Sequence, residues 1–127
     1  MVMTINGQDY PVRFGIGFVR ELDKKYFVES KSGVKFGYGL ETEVPMLLTN
    51  DVITLAEVLY LSTCTEEKRP TQAEVDEYID GVDDIEALFA ETLGELKKHN
   101  ATRLVVARIT EDLEKAKQTG AVAKQKK

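Results

Sequence analysis

The segment from Val52 to Leu61 constrains the fold most strongly, because eight of its ten positions are apolar and only Thr54 and Glu57 are polar. A helix that is apolar nearly all round is buried by its neighbours. Asp51, which precedes the segment, belongs to the residue types that cap helix N-termini. The pattern therefore predicts a central, buried helix around which the rest of the chain packs.

Apolar residues also recur at helical spacing on both sides of this segment. Before it, the spacing predicts one helix over about residues 16–28 and another from Leu40 to Leu48, which Pro45 should leave short or kinked. After it, Thr71 and Glu74 have the spacing of a capping box, and Asp83 or Asp84 can cap a longer helix. The residues expected to face inward are Phe18, Val19, Leu22, Tyr26, Val75, Tyr78, Ile79, Val82, Ile85, Leu88, Phe89, Leu93 and Leu96.

Strand patterns are confined to two places. Residues 3–12, MTINGQDYPV, predict a β-hairpin with Asn6-Gly7 as a type I′ turn, because both residue types tolerate positive φ. Residues 103–109 are ambiguous: the β-branched run suits a strand, whereas the spacing of Val105, Ile109 and Leu113 favours a helix. Residues 29–35, ESKSGVK, are expected to be a polar loop.

Together these elements predict a mainly α fold with a small N-terminal β-hairpin, which is α+β by strict count. We expect a single compact helical domain of about five to six helices over residues 1–108, and a charged, basic-ended C-terminal extension over residues 109–127. The 127 residues suffice for one domain with a sizeable core.

The formal net charge of −5 hides an uneven distribution along the chain. Residues 66–95 carry eleven acidic side chains against two basic ones, whereas residues 97–127 carry nine basic against three acidic. A nucleic-acid-binding protein usually shows a dominant basic surface, so an acidic body argues against that class. No apolar run approaches the roughly 18 residues of a membrane span, and the N-terminus has no signal-peptide pattern. We therefore expect a cytoplasmic protein that binds neither nucleic acid nor membrane.

Motifs for catalysis and for cofactor or metal binding are weak. Phe14-Gly15-x-Gly17 and Phe36-Gly37-x-Gly39 resemble phosphate-binding turns, but no Lys-Ser or Lys-Thr pair follows either one. We interpret them as helix entries beside a packed Phe14 or Phe36. His99 suits the negative end of a helix, and Cys64 suits a small buried position. We therefore predict no catalytic residue, no cofactor and no metal site.

Five carboxylates remain as candidates for binding a protein partner: Asp76, Glu77, Asp80, Asp83 and Asp84. They lie outside the apolar stripe of Val75, Ile79 and Val82, so they are free to face a partner. They match no EF-hand spacing. The alternative is a solvated face that only maintains solubility.

Several segments in a fixed order resemble the tail assembly chaperones of long-tailed bacteriophages and of prophages of Gram-positive bacteria. They span about Thr4 to Leu104 and read INGQDYPVRFG, FVRELDKKY, GVKFGYGLE, EVPMLLT, KRPTQAEVDEYID, DIEALFAETLGELKK and NATRL. The chain after about Arg108 matches no pattern of that family.

The resemblance implies a non-enzymatic assembly factor of the host bacterial cytoplasm that is absent from the mature virion. It implies the tape-measure protein and the tail-tube protein as partners, and a homo-oligomer is possible. It also implies a longer form made by ribosomal frameshifting, for which Gln125-Lys126-Lys127 could be encoded by a slippery CAA-AAA-AAG run. The alternative from another class is an acidic inhibitor, or DNA mimic, that occupies a nucleic-acid-binding enzyme.

Overall fold

The computed structural model describes the backbone of residues 1–125 and the side chains of residues 1–118. In chain order the elements are β1 (Val2–Ile5), β2 (Gln8–Pro11), α1 (Ile16–Lys25), β3 (Phe27–Glu29), β4 (Lys35–Gly37), α2 (Gly39–Leu48), α3 (Val52–Leu61), α4 (Gln72–Asp80), α5 (Ile85–Lys98) and α6 (Arg103–Gln125). The prediction of a mainly helical fold with a small N-terminal hairpin is confirmed.

The N-terminal hairpin pairs β1 with β2 in antiparallel register, with Ile5 opposite Gln8. Asn6 and Gly7 have φ values of 52° and 77°, the left-handed conformation that a type I′ turn requires. Met3 and Ile5 alternate with exposed residues and are buried in the core. The hairpin packs against α4, so its apolar face is covered by a helix.

A second hairpin lies where the sequence predicted the end of a helix and a polar loop. The first helix ends at Lys25 rather than near Val28, and β3 pairs with β4 so that Val28 lies opposite Phe36. Gly33, with φ of +87°, lies in the connecting turn. Because this strand pairing joins residues six to ten positions apart, helical spacing alone did not reveal it. The expected packing of Phe36 is also wrong, since this side chain is 60% exposed.

The central position of α3 is confirmed in part. Its buried residues include Leu55, Val58 and Leu59, which join the main hydrophobic core. The Asp51 carboxylate accepts from the Ile53 and Thr54 amides, as an N-cap should. However, Ile53 is 78% exposed, so the expectation that α3 is buried all round is wrong on one side.

Two of the later helices, α4 and α5, begin as the sequence predicted. Thr71 and Glu74 form the capping box of α4, and Asp84 caps α5 by accepting from the Ala87 amide. Ile79 and Phe89 are both core residues, each 5% exposed. Ile85, which was expected to face inward, is 39% exposed.

The ambiguous segment 103–109 is helical and belongs to α6, which packs against α2 and α5. Val106 and Ile109 are its buried residues in the hydrophobic core. The helix continues without a break past residue 108, so no change of secondary structure marks the proposed domain boundary there. The division into residues 1–108 and 109–127 stays a prediction.

Candidate protein-binding site

The two glycine turns have structural partners within the chain. The Gly39 amide, at the start of α2, donates to the Asp23 carboxylate at 2.9 Å. This carboxylate occupies the position in which a bound phosphate would accept a hydrogen bond at a helix N-terminus. A Cβ added at Gly39 would lie 2.6 Å from Leu22 Cγ, so glycine lets α2 approach α1 closely. Gly17 lies similarly close to Thr65, whose Cγ2 would be 2.5 Å from an added Cβ.

His99 and Cys64 also have structural surroundings. His99 is the C-cap of α5, and its Nε2 lies 3.0 Å from Glu95 Oε2. This hydrogen bond is the main reason that the pKa of Glu95 is lowered. Cys64 is half-buried rather than fully buried, and burial raises the pKa of its thiol. Within the described part of the chain, no group of three or more His, Cys, Asp or Glu residues is arranged to hold a metal ion.

The five candidate carboxylates do not form one surface. Asp76 and Asp80 line a groove between α3 and α4. Glu77 and Asp83 line a different depression beside the turn of the N-terminal hairpin. Asp84 accepts a hydrogen bond from the Ala87 amide at 3.0 Å, so it serves as the cap of α5. Two of the five therefore lie on one face, two on another, and the fifth caps a helix. Their role in binding a partner stays a prediction.

The α3–α4 groove combines exposed apolar surface with acidic side chains. Its volume is about 430 Å³, and it is lined by Lys25, Val52, Ile53, Ala56, Glu57, Gln72, Asp76, Ile79 and Asp80. Gln72 Nε2 donates to Asp76 Oδ1 at 3.0 Å and to the Ala56 carbonyl at 3.3 Å, which links the two helices. The apolar half of this site was not predicted from the sequence. The all-round apolar pattern of α3 could have indicated it, because such a pattern also occurs where one apolar face of a helix is exposed and binds another protein.

The charges of the groove are unbalanced. Three carboxylates line it, those of Glu57, Asp76 and Asp80, and Lys25 is the only basic residue among the lining side chains described. Lys25 Nζ lies 2.9 Å from Glu57 Oε1, and its own side chain is 52% exposed. The groove thus favours a partner that brings positive charge together with apolar contact.

A buried acid lies behind Glu57. Glu43, on α2, is 1% exposed, and among the described residues its Oε1 has no hydrogen-bond partner. Burial, followed by the charge of Glu57 and a hydrogen bond with it, raises the pKa of Glu43 to about 7. The neighbouring Tyr26 and Thr54 hydroxyls act on this pKa in the opposite direction. Burial, followed by the charges of Glu43 and Glu57, raises the pKa of Tyr26.

The fold and the groove together define a small helical protein whose exposed chemistry suits the binding of other proteins. The family model for the phage tail assembly chaperone protein, TAC, matches residues 2–111. The chain therefore belongs to the phage tail assembly chaperone family, as its segments suggested. Neither the curated proteins nor the solved structures gave a match.

Membership supports phage tail proteins as the general class of partners. Proteins of this family are generally non-enzymatic. Among the helices described, none is long and apolar enough to cross a membrane.

Proposed function

We propose that this chain is a non-enzymatic chaperone that binds its phage's tape-measure protein through the α3–α4 groove and helps to recruit tail-tube subunits. It acts in the host bacterial cytoplasm and is absent from the mature virion. The observation that supports this best is Ile53, an apolar side chain that is 78% exposed at an acidic groove. Exposed apolar surface rimmed by polar residues is typical of a protein interaction site.

Apolar contact and acidic charge have different roles in this proposal. Burial of Ile53 and the neighbouring Val52, which is 47% exposed, supplies most of the affinity. Asp76 and Asp80 accelerate encounter with a basic segment and set its orientation, which makes association sensitive to salt. Glu77 and Asp83, on the other face, contribute to the general negative field.

Replacing Ile53 by Asp should weaken binding of the tape-measure protein by roughly tenfold or more, because an ionised group replaces the main apolar contact. The experiment is co-expression with the tape-measure protein, followed by measurement of the soluble complex. The helix itself should tolerate the change, since an acid in the first turn is favourable. Leu104→Asp is the matched control, because Leu104 is 70% exposed and occupies the equivalent second position of α6.

Two double variants test the acidic residues in the same assay. The double variant Asp76→Asn with Asp80→Asn should associate more slowly, and its association rate should depend less on salt concentration. The double variant Glu77→Gln with Asp83→Asn should change the association rate and its salt dependence less. Should folded Ile53→Asp keep the tape-measure protein as soluble as Leu104→Asp does, the groove is not the binding site.

The frameshifted longer form is part of the same proposal. Lys126 and Lys127 lie outside the described residues. Frameshifting is a property of the coding sequence, so the nucleotide sequence tests this part of the proposal. A slippery run at codons 125–127, followed by an open overlapping frame, is the expected result. Synonymous codons that interrupt the run would contradict it.

A further inference from the structure

We infer that the α3–α4 groove selects a partner helix that carries a lysine or arginine on its apolar face, and that Glu57 holds this cation with the charge of the buried Glu43 behind it. The inference rests on the proposed function for the identity of the partner, but its chemistry can be tested separately. It makes the groove a site for one positively charged side chain surrounded by apolar contact.

The arrangement of the two acids supports a cationic ligand. Glu57 lines the groove, and Glu43 lies directly behind it as a buried acid with one unpartnered oxygen. Two carboxylates in contact repel each other when both are ionised, so they favour either a shared proton or a nearby cation. Lys25 forms an ion pair only with the outer acid: its Nζ lies 2.9 Å from Glu57 Oε1, although not in hydrogen-bond geometry. A second cation in the groove would neutralise the charge that Lys25 leaves unbalanced.

The charged and titratable side chains around Glu43 come from three neighbouring helices. From α1 and the residue after it, Lys25 and Tyr26 face the acid pair, and Tyr38 lies beside Tyr26. From α3 the neighbours are Glu57 and the Thr54 hydroxyl. From α4, Asp76 and Asp80 reach the groove but add only negative charge. Lys25 is thus the only cation among these neighbours.

Binding of a cation should therefore be linked to the release of a proton. Below about pH 7 Glu43 is protonated and adds no negative charge behind Glu57. Above that pH Glu43 is ionised, and a bound cation stabilises this ionised form. Affinity for a cationic helix should rise as the pH increases toward about 7 and stay level above it.

The probes are two synthetic amphipathic helical peptides that differ at one central position of the apolar face, lysine in one and norleucine in the other. Binding to the full chain is measured by fluorescence anisotropy at about pH 5.5 and about pH 8.5. We expect the lysine peptide to bind roughly tenfold more tightly at the higher pH, which corresponds to a shift of about one pKa unit. The norleucine peptide should show little pH dependence.

Two variants connect this effect to the acid pair. Glu43→Gln resembles the protonated state, so it should bind the lysine peptide with the low-pH affinity at both pH values. Glu57→Gln should weaken the lysine peptide while leaving the norleucine peptide nearly unchanged. Circular dichroism confirms that both variants are folded before their affinities are compared.

Several results would overturn the inference. Equal binding of the two peptides, or an unchanged pH profile in folded Glu43→Gln, would show that the pair does not hold a cation. Self-association of the chain that the lysine peptide displaces would assign the groove to a second copy instead. If the peptides behave as expected but the tape-measure protein does not bind, the proposed function fails while the chemistry of the groove stands.

Discussion

Replacing Phe89 by Ala should lower the free energy of unfolding by roughly 3–5 kcal/mol, the range for removing a large aromatic side chain from a core. Phe89 lies on α5, is 5% exposed and belongs to the main hydrophobic cluster. Its helix packs against α2 and α6, so the cavity would open where three helices meet. Thermal or urea unfolding followed by circular dichroism measures the change.

Phe36→Ala provides a matched control, because it makes the same substitution at a side chain that is 60% exposed. A surface substitution of this kind should change stability by no more than about 0.5 kcal/mol. Equal losses in the two variants would mean that Phe89 is not in the core or that Phe36 is covered. If the Phe36→Ala variant binds the tape-measure protein as the wild type does, the Phe36 side chain of the second hairpin does not contribute to binding.

Raising the pH from about 5 to about 8 should destabilise the native state through Glu43 by on the order of 2 kcal/mol. In the unfolded chain this carboxyl has its ordinary pKa of 4.5, whereas in the folded chain its pKa is raised to about 7. Between these values the native state binds the proton and the unfolded state does not. Stability therefore falls as the pH rises through this window, and the loss is complete above the folded pKa.

Glu43→Gln should remove this contribution, because an amide can donate to Glu57 and cannot ionise. We expect the variant to unfold at a higher urea concentration than the wild type at about pH 8, and the advantage to shrink toward about pH 5. Glu77→Gln, at an exposed position of α4, removes one negative charge away from the pair and serves as the control. A Glu43→Gln variant whose stability parallels that of the wild type at every pH would contradict a shared proton.

Much of the site could not be read from the sequence, because it depends on which helices are neighbours. Asp76 and Asp80 are one helical turn apart, so their common face was predictable, whereas their position opposite Ile53 was not. Glu43 was overlooked although it lies between Leu40 and Leu47 on the apolar stripe of α2, because an acidic residue is rarely fully buried. Its unusual pKa arises from α1, α2 and α3 meeting around it.

The sequence by itself determined the features that depend on neighbouring residues. Contacts within a few residues form the Asn6-Gly7 turn, the Asp51 and Asp84 caps and the Thr71–Glu74 capping box. The residue types at these positions were therefore enough to predict them. Tertiary structure alone decided the pairing of β3 with β4, the exposure of Ile53 and the position of Glu43 beside Glu57. Each of these depends on contacts between segments, and an apolar or acidic residue type does not specify which segment will cover it.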